Sequence, residues 1–342
     1  MTSPNILVGI NGQIESTFAR VFVFESAFFD SSYSNSSSNR ISLENRWEAV
    51  IDPSKYLDNL VGNLDMFEYE LKSFRDEGKT LVCLHSNKIL LNGTKEFVDK
   101  FKEICKRYFE KFEFVLSMGM VGAHDASTEI ESIVSHIHYG SSRGLFFGAI
   151  GPLVLDSAES VRVCVESHKR TNAPVFVYAS SNQSYLSEFI HSIEDSSKVF
   201  LIIEKIDVWE YVSRHFIDKK FHVIIPCSTS DYRLKALTIP NALYSPGCSQ
   251  KVHFKKFGGL GFDEGRYLLQ SNQVDPFQLL GFAWSPPKLN GQQDDDYGKW
   301  VCDICGVRAK LSEQENFTKH GYTYCSVACL SSHRKRGFEP LT

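Results

Sequence analysis

The sequence predicts an α/β chain: a (β/α)8 barrel followed by a small module with too little apolar sequence to fold around a core of its own. Eight short apolar runs, separated by segments with helical spacing of their apolar residues, predict the barrel. Two pairs of cysteines close together near the C-terminus predict the module. A polar stretch rich in Pro, Gly and Asp lies between them and predicts where one unit gives way to the other.

In chain order, the candidate strands are Val21–Phe24, Thr80–Leu84, Phe112–Ser117, Gly144–Ile150, Pro174–Tyr178, Val199–Ile203, Phe221–Ile225 and Ala242–Tyr244. Leu64–Arg75, Thr94–Glu110, Glu159–Arg170 and Ser184–Glu194 carry the helical pattern between them. Runs that are apolar throughout, rather than alternating, suit strands buried on both faces, and such strands alternating with helices form parallel sheets. Eight such units within residues 1–284 suit a closed barrel better than an open doubly wound sheet. Asp30 to Asn39 is a serine-rich loop with no capacity to form core. Ser285 to Lys299 contains Pro286-Pro287, Gly291 and Asp294-Asp-Asp296, which reads as an exposed linker. The expected organisation is a barrel over 1–284, a linker over 285–299 and a finger over 300–342.

The finger rests on Cys302 and Cys305, then Cys325 and Cys329, with 19 residues between Cys305 and Cys325. Four thiolates in two short-spaced pairs surround one Zn2+ tetrahedrally, and Gly306 suits the tight turn after the first pair. A redox dithiol is the competing reading. In so short a segment, metal binding would supply much of the folding free energy. One structural zinc per chain is therefore expected. His320 and His333 are spare donors; His333 follows Cys329 by four residues on a predicted helix, so the two share a face. Tyr324-Cys-Ser-Val-Ala-Cys329 followed by a helix resembles treble-clef fingers of the HIT and MYND kind, although those carry more metal pairs than this chain. His333-Arg-Lys-Arg336 is a short basic patch that suits nucleic acid, an acidic protein or simply a solvated helix end.

Composition sets outer limits. Hydrophobic residues make up 42% of the 342, charged residues 23%, and the net charge is -4, as in an ordinary globular protein and unlike one that binds nucleic acid by bulk charge. The N-terminus lacks the basic start and apolar core of a signal peptide, and no apolar run reaches the roughly 20 residues of a membrane span. Five of the nine cysteines (Cys83, Cys105, Cys164, Cys227 and Cys248) fall without a pairing rhythm. Reduced thiols and a cytoplasmic or nuclear location are expected, and the sequons at Asn92 and Asn182 then carry no meaning.

Short phrases in a shared order extend from Gly9-Ile10-Asn-Gly-Gln-Ile14 to about Trp284. They include Glu44-Asn-Arg-Trp47, Glu70-Leu-Lys-Ser-Phe-Arg-Asp-Glu-Gly78, Thr171-Asn-Ala-Pro-Val-Phe-Val177 and Phe254-Lys-Lys-Phe-Gly-Gly-Leu-Gly-Phe262. Through them the chain resembles the phosphotriesterase-related family, metal-dependent hydrolases of the amidohydrolase superfamily built on a (β/α)8 barrel. The resemblance implies two metal ions at the C-terminal mouth of the barrel. Their ligands would be an His-X-His pair on the first strand, a carboxylate on the fourth, histidines on the fifth and sixth, and an aspartate ending the eighth. Two such ions lower the pKa of a bridging water and polarise the scissile bond.

The residues at these positions differ from that pattern. Phe24 and Ser26 replace the histidine pair around Glu25. Ala149 replaces the carboxylate within Gly148-Ala149-Ile150-Gly151, where the metal enzymes have Gly-Glu-Ile-Gly. Tyr178 replaces the fifth-strand histidine, Lys205 the sixth-strand one, and Gly247 the aspartate. A register one residue earlier on the sixth strand would place Glu204 at the ligand position without restoring a site. Phe, Ala and Gly offer no donor, and an ammonium repels a cation. The expectation is a pseudoenzyme with no catalytic residues.

Other motifs carry little chemistry. His136 and His138 sit on a predicted helix, where i and i+2 side chains diverge. Cys227, Ser228 and Ser230 follow the seventh strand, with no motif placing a base beside them. Gly258-Gly-Leu-Gly261 lacks the context of a phosphate loop. The expected function is an inactive barrel acting as a protein-interaction scaffold, with the finger as a second docking surface and a protein as partner. Two alternatives stand beside it. One is a metal-independent hydrolase or small-ligand sensor using Tyr178, Glu204 and Lys205. The other is a nucleic-acid-binding adaptor led by the finger.

Overall fold

The computed structural model describes residues 7–14, 20–24, 42, 44–51, 64–74, 79–86, 94–120, 125–179, 182–216, 218–226, 242–245, 255–257, 280, 317–319, 322–324 and 327–335. Two short strands, β1 (Leu7–Gly9) and β2 (Gly12–Ile14), form an antiparallel hairpin before the barrel. Eight parallel strands follow: β3 (Arg20–Phe24), β4 (Thr80–Ser86), β5 (Phe112–Met118), β6 (Ala149–Val154), β7 (Val175–Tyr178), β8 (Val199–Ile202), β9 (His222–Pro226) and β10 (Ala242–Ser245). They hydrogen-bond in strict sequence order, and β10 returns to lie against β3. That is the order and closure of the predicted barrel.

Helices link the strands. They are α1 (Arg46–Ile51), α2 (Leu64–Ser73), α3 (Lys95–Arg107), α4 (Ala126–Tyr139), α5 (Ala158–Thr171), α6 (Gln183–Ser192) and α7 (Ile206–His215). Local chemistry sets several of their ends. Thr94 accepts from the Phe97 N–H at 3.2 Å, Asp125 from the Thr128 N–H at 2.9 Å, and Ser157 forms a reciprocal capping box with Ser160. Each oxygen satisfies an N–H that has no intrahelical partner. At the other end of α5, Asn172 takes the left-handed conformation with φ 54° and stops the helix. No described helix is long and apolar enough to cross a membrane.

Strand alternation divides the core into two layers. Between sheet and helices lie Val82, Leu84, Phe114, Leu116, Val177, Leu201 and Ile225, packed on helix residues such as Phe67, Phe101, Ile133 and Phe189. Inside the barrel lie Leu81, Cys83, Val115, Ala149, Phe176, Phe200, Ile202, Ile224 and Leu243, joined by Leu280 and by Leu7 and Ile14 of the hairpin. Residues i and i+2 of one strand share a layer and their neighbours take the other. The hairpin is tied to β5 by the Ile10 N–H bonded to the Phe114 carbonyl at 3.0 Å. Gly148 permits its approach, since a Cβ there would stand 2.2 Å from the Val8 carbonyl oxygen.

The fourth barrel strand starts later than the apolar run implied, at Ala149 rather than Gly144. Leu145 and Phe147 are fully buried, which explains the apolar run. Their segment nonetheless turns, with φ 73° at Gly140 and 68° at Gly144. Its backbone bonds locally, Ser141 N–H to the Leu145 carbonyl at 2.7 Å, and to the hairpin, Phe146 N–H to the Ile10 carbonyl at 3.2 Å. Hydropathy registers burial; it does not distinguish a strand from a turn packed under one.

Candidate functional site: the barrel mouth and the cysteine module

One row of side chains, near the C-terminal ends of β4 and β5 and at the start of β6, defines the polar part of the barrel interior. His85 is in register with Ser117, and Ser117 with Ala149. His85 and Ser117 follow the interior residues Cys83 and Val115 by two, so alternation brings both inward. Ser117 is fully buried and donates to the Gly151 carbonyl at 2.6 Å. Its oxygen also lies 2.9 Å from Nδ1 of His85. Gly151, at φ 103°, sits in a register shift of β6, and a Cβ there would stand 2.2 Å from the Phe176 carbonyl oxygen. Ala149 presents a methyl group to this row and is fully buried.

Below the row the interior is apolar. The Phe176 ring meets the His85 ring edge-on at 5.0 Å and stacks on Phe200 at 4.5 Å. Burial among these groups holds the His85 imidazole down at about 3, far below the ordinary histidine value, because the charged form loses its hydration. His85 is therefore neutral across the physiological range and acts as a hydrogen-bonding side chain. The same burial pushes the Cys83 thiol up, so it has no thiolate character.

The other mouth residues are more open. Tyr178 ends β7, half-buried against the interior cluster. Glu204 and Lys205 are both exposed in the step from β8 to α7, and the Lys205 carbonyl accepts from the Trp209 N–H in the first turn of that helix. Phe24 ends β3 in register with Leu84. Glu25, Ser26 and Gly247 lie outside the described residues, as do Cys227, Ser228, Ser230, Gly258 and Gly261. Tyr178 stands in register with Val154 and Ile202, whereas the register brings Ala149 together with His85 and Ser117, two residues that the sequence reading passed over. Their signal was present: extending the second apolar run past Leu84 with strict alternation would have turned His85 inward beside Ser117.

His136 and His138 do not form a metal pair. His136 is buried, bonded through Nδ1 to the Ser132 carbonyl at 2.7 Å and edge-on to Phe147 at 5.8 Å. His138 is partly exposed on another side of α4, lowered from the ordinary value first by burial and then by nearby Arg170.

The C-terminal module contains an antiparallel hairpin, β11 (Phe317–Lys319) and β12 (Tyr322–Tyr324), followed by helix α8 (Val327–Lys335), which packs on β12. Cys329 lies in the first turn of α8 and is buried; Tyr324 and His333 are buried beneath the same helix. The Tyr324 hydroxyl lies 2.8 Å from Nδ1 of His333. Cys302, Cys305, Cys325 and His320 fall outside the described residues.

Residues 299–341 match the model of the Vms1-associating treble clef domain. Among solved structures, the chain is similar to a phosphotriesterase homology protein from Escherichia coli determined with phosphate in its active site. The TM-score is 0.50 at 14% identity, over 76% of this chain and 95% of that one. It is likewise similar to a lactonase from Listeria monocytogenes, with TM-score 0.51 and 11% identity, over 77% of this chain and 89% of that one. The barrel has the phosphotriesterase-homology fold. Among curated protein sequences nothing matches the chain.

Of the positions that the sequence resemblance implies for metal ligands, the described ones Ala149, Tyr178 and Lys205 would offer a methyl group, a phenol and an ammonium. Those three would make a poor donor set for divalent ions. The treble clef would suit zinc better. A buried thiol in the first turn of a helix that packs on a hairpin is a suitable zinc donor, and thiolates are the preferred ligands of structural zinc.

Proposed function

We infer that the chain is a non-hydrolytic interaction protein: a barrel retained as a rigid scaffold and a zinc-held treble clef that docks on a protein partner. The observation that supports the barrel half is the hydrogen-bonded row of His85, Ser117 and the Gly151 carbonyl. At the level where the resembling hydrolases hold a bridging carboxylate, this chain has a methyl group beside a neutral imidazole already bonded to serine. Among the described residues no ligand set stands there for a metal-activated water, and Nδ1 of His85, Ser117 and the Gly151 carbonyl bond to one another. Fold alone does not carry function. On the treble-clef side, the matching family is named for association with Vms1, which supports protein binding. Its zinc would be held by Cys302, Cys305, Cys325 and Cys329, supplying a cross-link that fixes the module's shape.

A second reading has its own support. Tyr178, Glu204 and Lys205 stand accessible near the strand ends, which suits a small polar ligand bound without metal. One experiment separates the two. Full-length protein and a version ending at Trp284 are used as baits in cells, and both are assayed on phosphotriesters, lactones and N-acyl amides with added Zn2+, Mn2+ or Co2+. The scaffold reading expects background turnover from both, and a co-purifying partner that the truncated form holds more weakly, since tethered sites reinforce one another. Turnover abolished by a chelator would overturn it. Metal-independent turnover lost in Lys205→Ala would instead establish the second reading.

A further inference from the structure

The buried pair Tyr324–His333 has no assigned role, and its placement points to one. Tyr324 is the last residue of β12 and His333 sits in the final turns of α8. Both are essentially inaccessible, at 0% and 1% exposure, and the phenol oxygen lies 2.8 Å from Nδ1. This single side-chain bond spans the junction between strand and helix. The two cysteines of the second pair bracket the same junction: Cys325 directly follows Tyr324, and Cys329 lies four residues before His333, on the same buried face of the helix.

We propose that Tyr324 and His333 are positioning residues for the zinc site, holding strand and helix at the separation at which Cys325 and Cys329 reach one metal ion. Zinc tolerates little departure from tetrahedral geometry in a closed structural site, and groups one step removed from the ligands set how well those ligands are preorganised. Buried polar groups must be satisfied, so the bond also specifies which face of the helix turns inward. The inference rests on the zinc assignment of the treble clef, and it gives His333 a role distinct from that of a ligand.

The test uses the full chain, loaded with Zn2+ or Co2+ and titrated against a chelator of known affinity. Tyr324→Phe removes the hydroxyl while keeping the ring in the core. It is expected to weaken metal affinity roughly tenfold and leave the Co2+ absorption bands in their all-thiolate pattern. His333→Gln is expected to weaken affinity to a similar extent, and the double variant no further than either alone. Unchanged affinity in Tyr324→Phe overturns the proposal. A shift of the Co2+ bands in His333→Gln also overturns it, by making His333 a ligand. Should Tyr324→Phe fail to bind metal at all, its Cys329→Ser counterpart separates the cases. If that variant also binds none, zinc fails to nucleate the module and the underlying assignment stands; if it still binds one equivalent, the assignment itself falls.

Discussion

The barrel and the treble clef solve the problem of stability in opposite ways. In the barrel, two apolar layers enclose the sheet, and side chains such as Phe67, Phe101, Phe176 and Phe200 are fully buried. Burial on that scale stabilises a fold at about 25 cal/mol per Å2 of apolar surface, with no need of a cofactor. In the treble clef, the buried side chains among the described residues are Tyr324, Cys329 and His333, and two of the three are polar. On the proposed zinc site, one region depends on packing and the other on coordination. Perturbations that reach only one of these should therefore leave the other standing.

Metal removal gives the largest contrast. Chelation, or Cys329→Ser, should unfold the treble clef, because structural zinc in small fingers contributes on the order of 10 kcal/mol or more. The barrel's cooperative denaturation should keep its midpoint. Hydrogen exchange followed by mass spectrometry resolves the two regions in one experiment. Loss of protection in Val327–Lys335 alone sharpens the comparison. Joint loss in β4 to β9 would break it, by making the module part of the barrel's own fold.

Acid tests the barrel through a term of its own, the buried imidazole of His85. The His85 value is about 3 in the folded chain against about 6.5 unfolded. The unfolded chain therefore binds the extra proton between those limits. This stabilising contribution is complete above about pH 6.5 and is lost progressively as pH falls toward 3, on the order of 5 kcal/mol over the full span. His168 and His222 are also lowered by burial and add in the same direction. His85→Asn keeps a group able to bond Ser117 but cannot titrate. Urea denaturation at pH 7 and pH 5 should show a shallower loss in the variant than in the wild type. Parallel losses would mean that His85 is already charged or is reached by water.

These residues also mark how far the sequence could be read. The eight strands were legible because each is apolar on both faces, and closure followed from counting units that suit a barrel. The finger's helix was foreshadowed by the phrase Tyr324 to Cys329 and its treble-clef resemblance, whereas its hairpin had no signal of its own. The row of His85 and Ser117 was missed for a physical reason: family ligand positions drew attention to Ala149, Tyr178 and Lys205. A lone histidine and a lone serine in separate strands acquire meaning only when the register sets them side by side. The hairpin of Leu7 to Ile14 was missed as structure because its strands are three residues each and its apolar side chains divide between the barrel interior (Leu7, Ile14) and the outer layer (Val8, Ile10).

The smallest effect concerns a single long-range bond inside the barrel's helical layer. Glu70 of α2 is fully buried, and its carboxylate oxygen Oε1 accepts the backbone N–H of Lys255 at 2.7 Å. The Lys255 ammonium reaches back to the Ser73 carbonyl at 3.1 Å. Together they fasten the single 3-10 turn Lys255–Phe257, late in the chain, onto an early helix. Glu70→Met has similar volume but no acceptor, so it leaves that N–H without this partner and should cost about 1–3 kcal/mol. Glu70→Gln retains an oxygen at the same reach and should cost less, since only the stronger ion-assisted character of the bond is at stake. Chemical denaturation of both variants measures the difference. If Met and Gln are equally destabilising, the bond to Lys255 is not what Glu70 contributes. If Met alone also exposes residues after 257 to proteolysis, this bond is the latch that closes the barrel, and packing alone does not complete it.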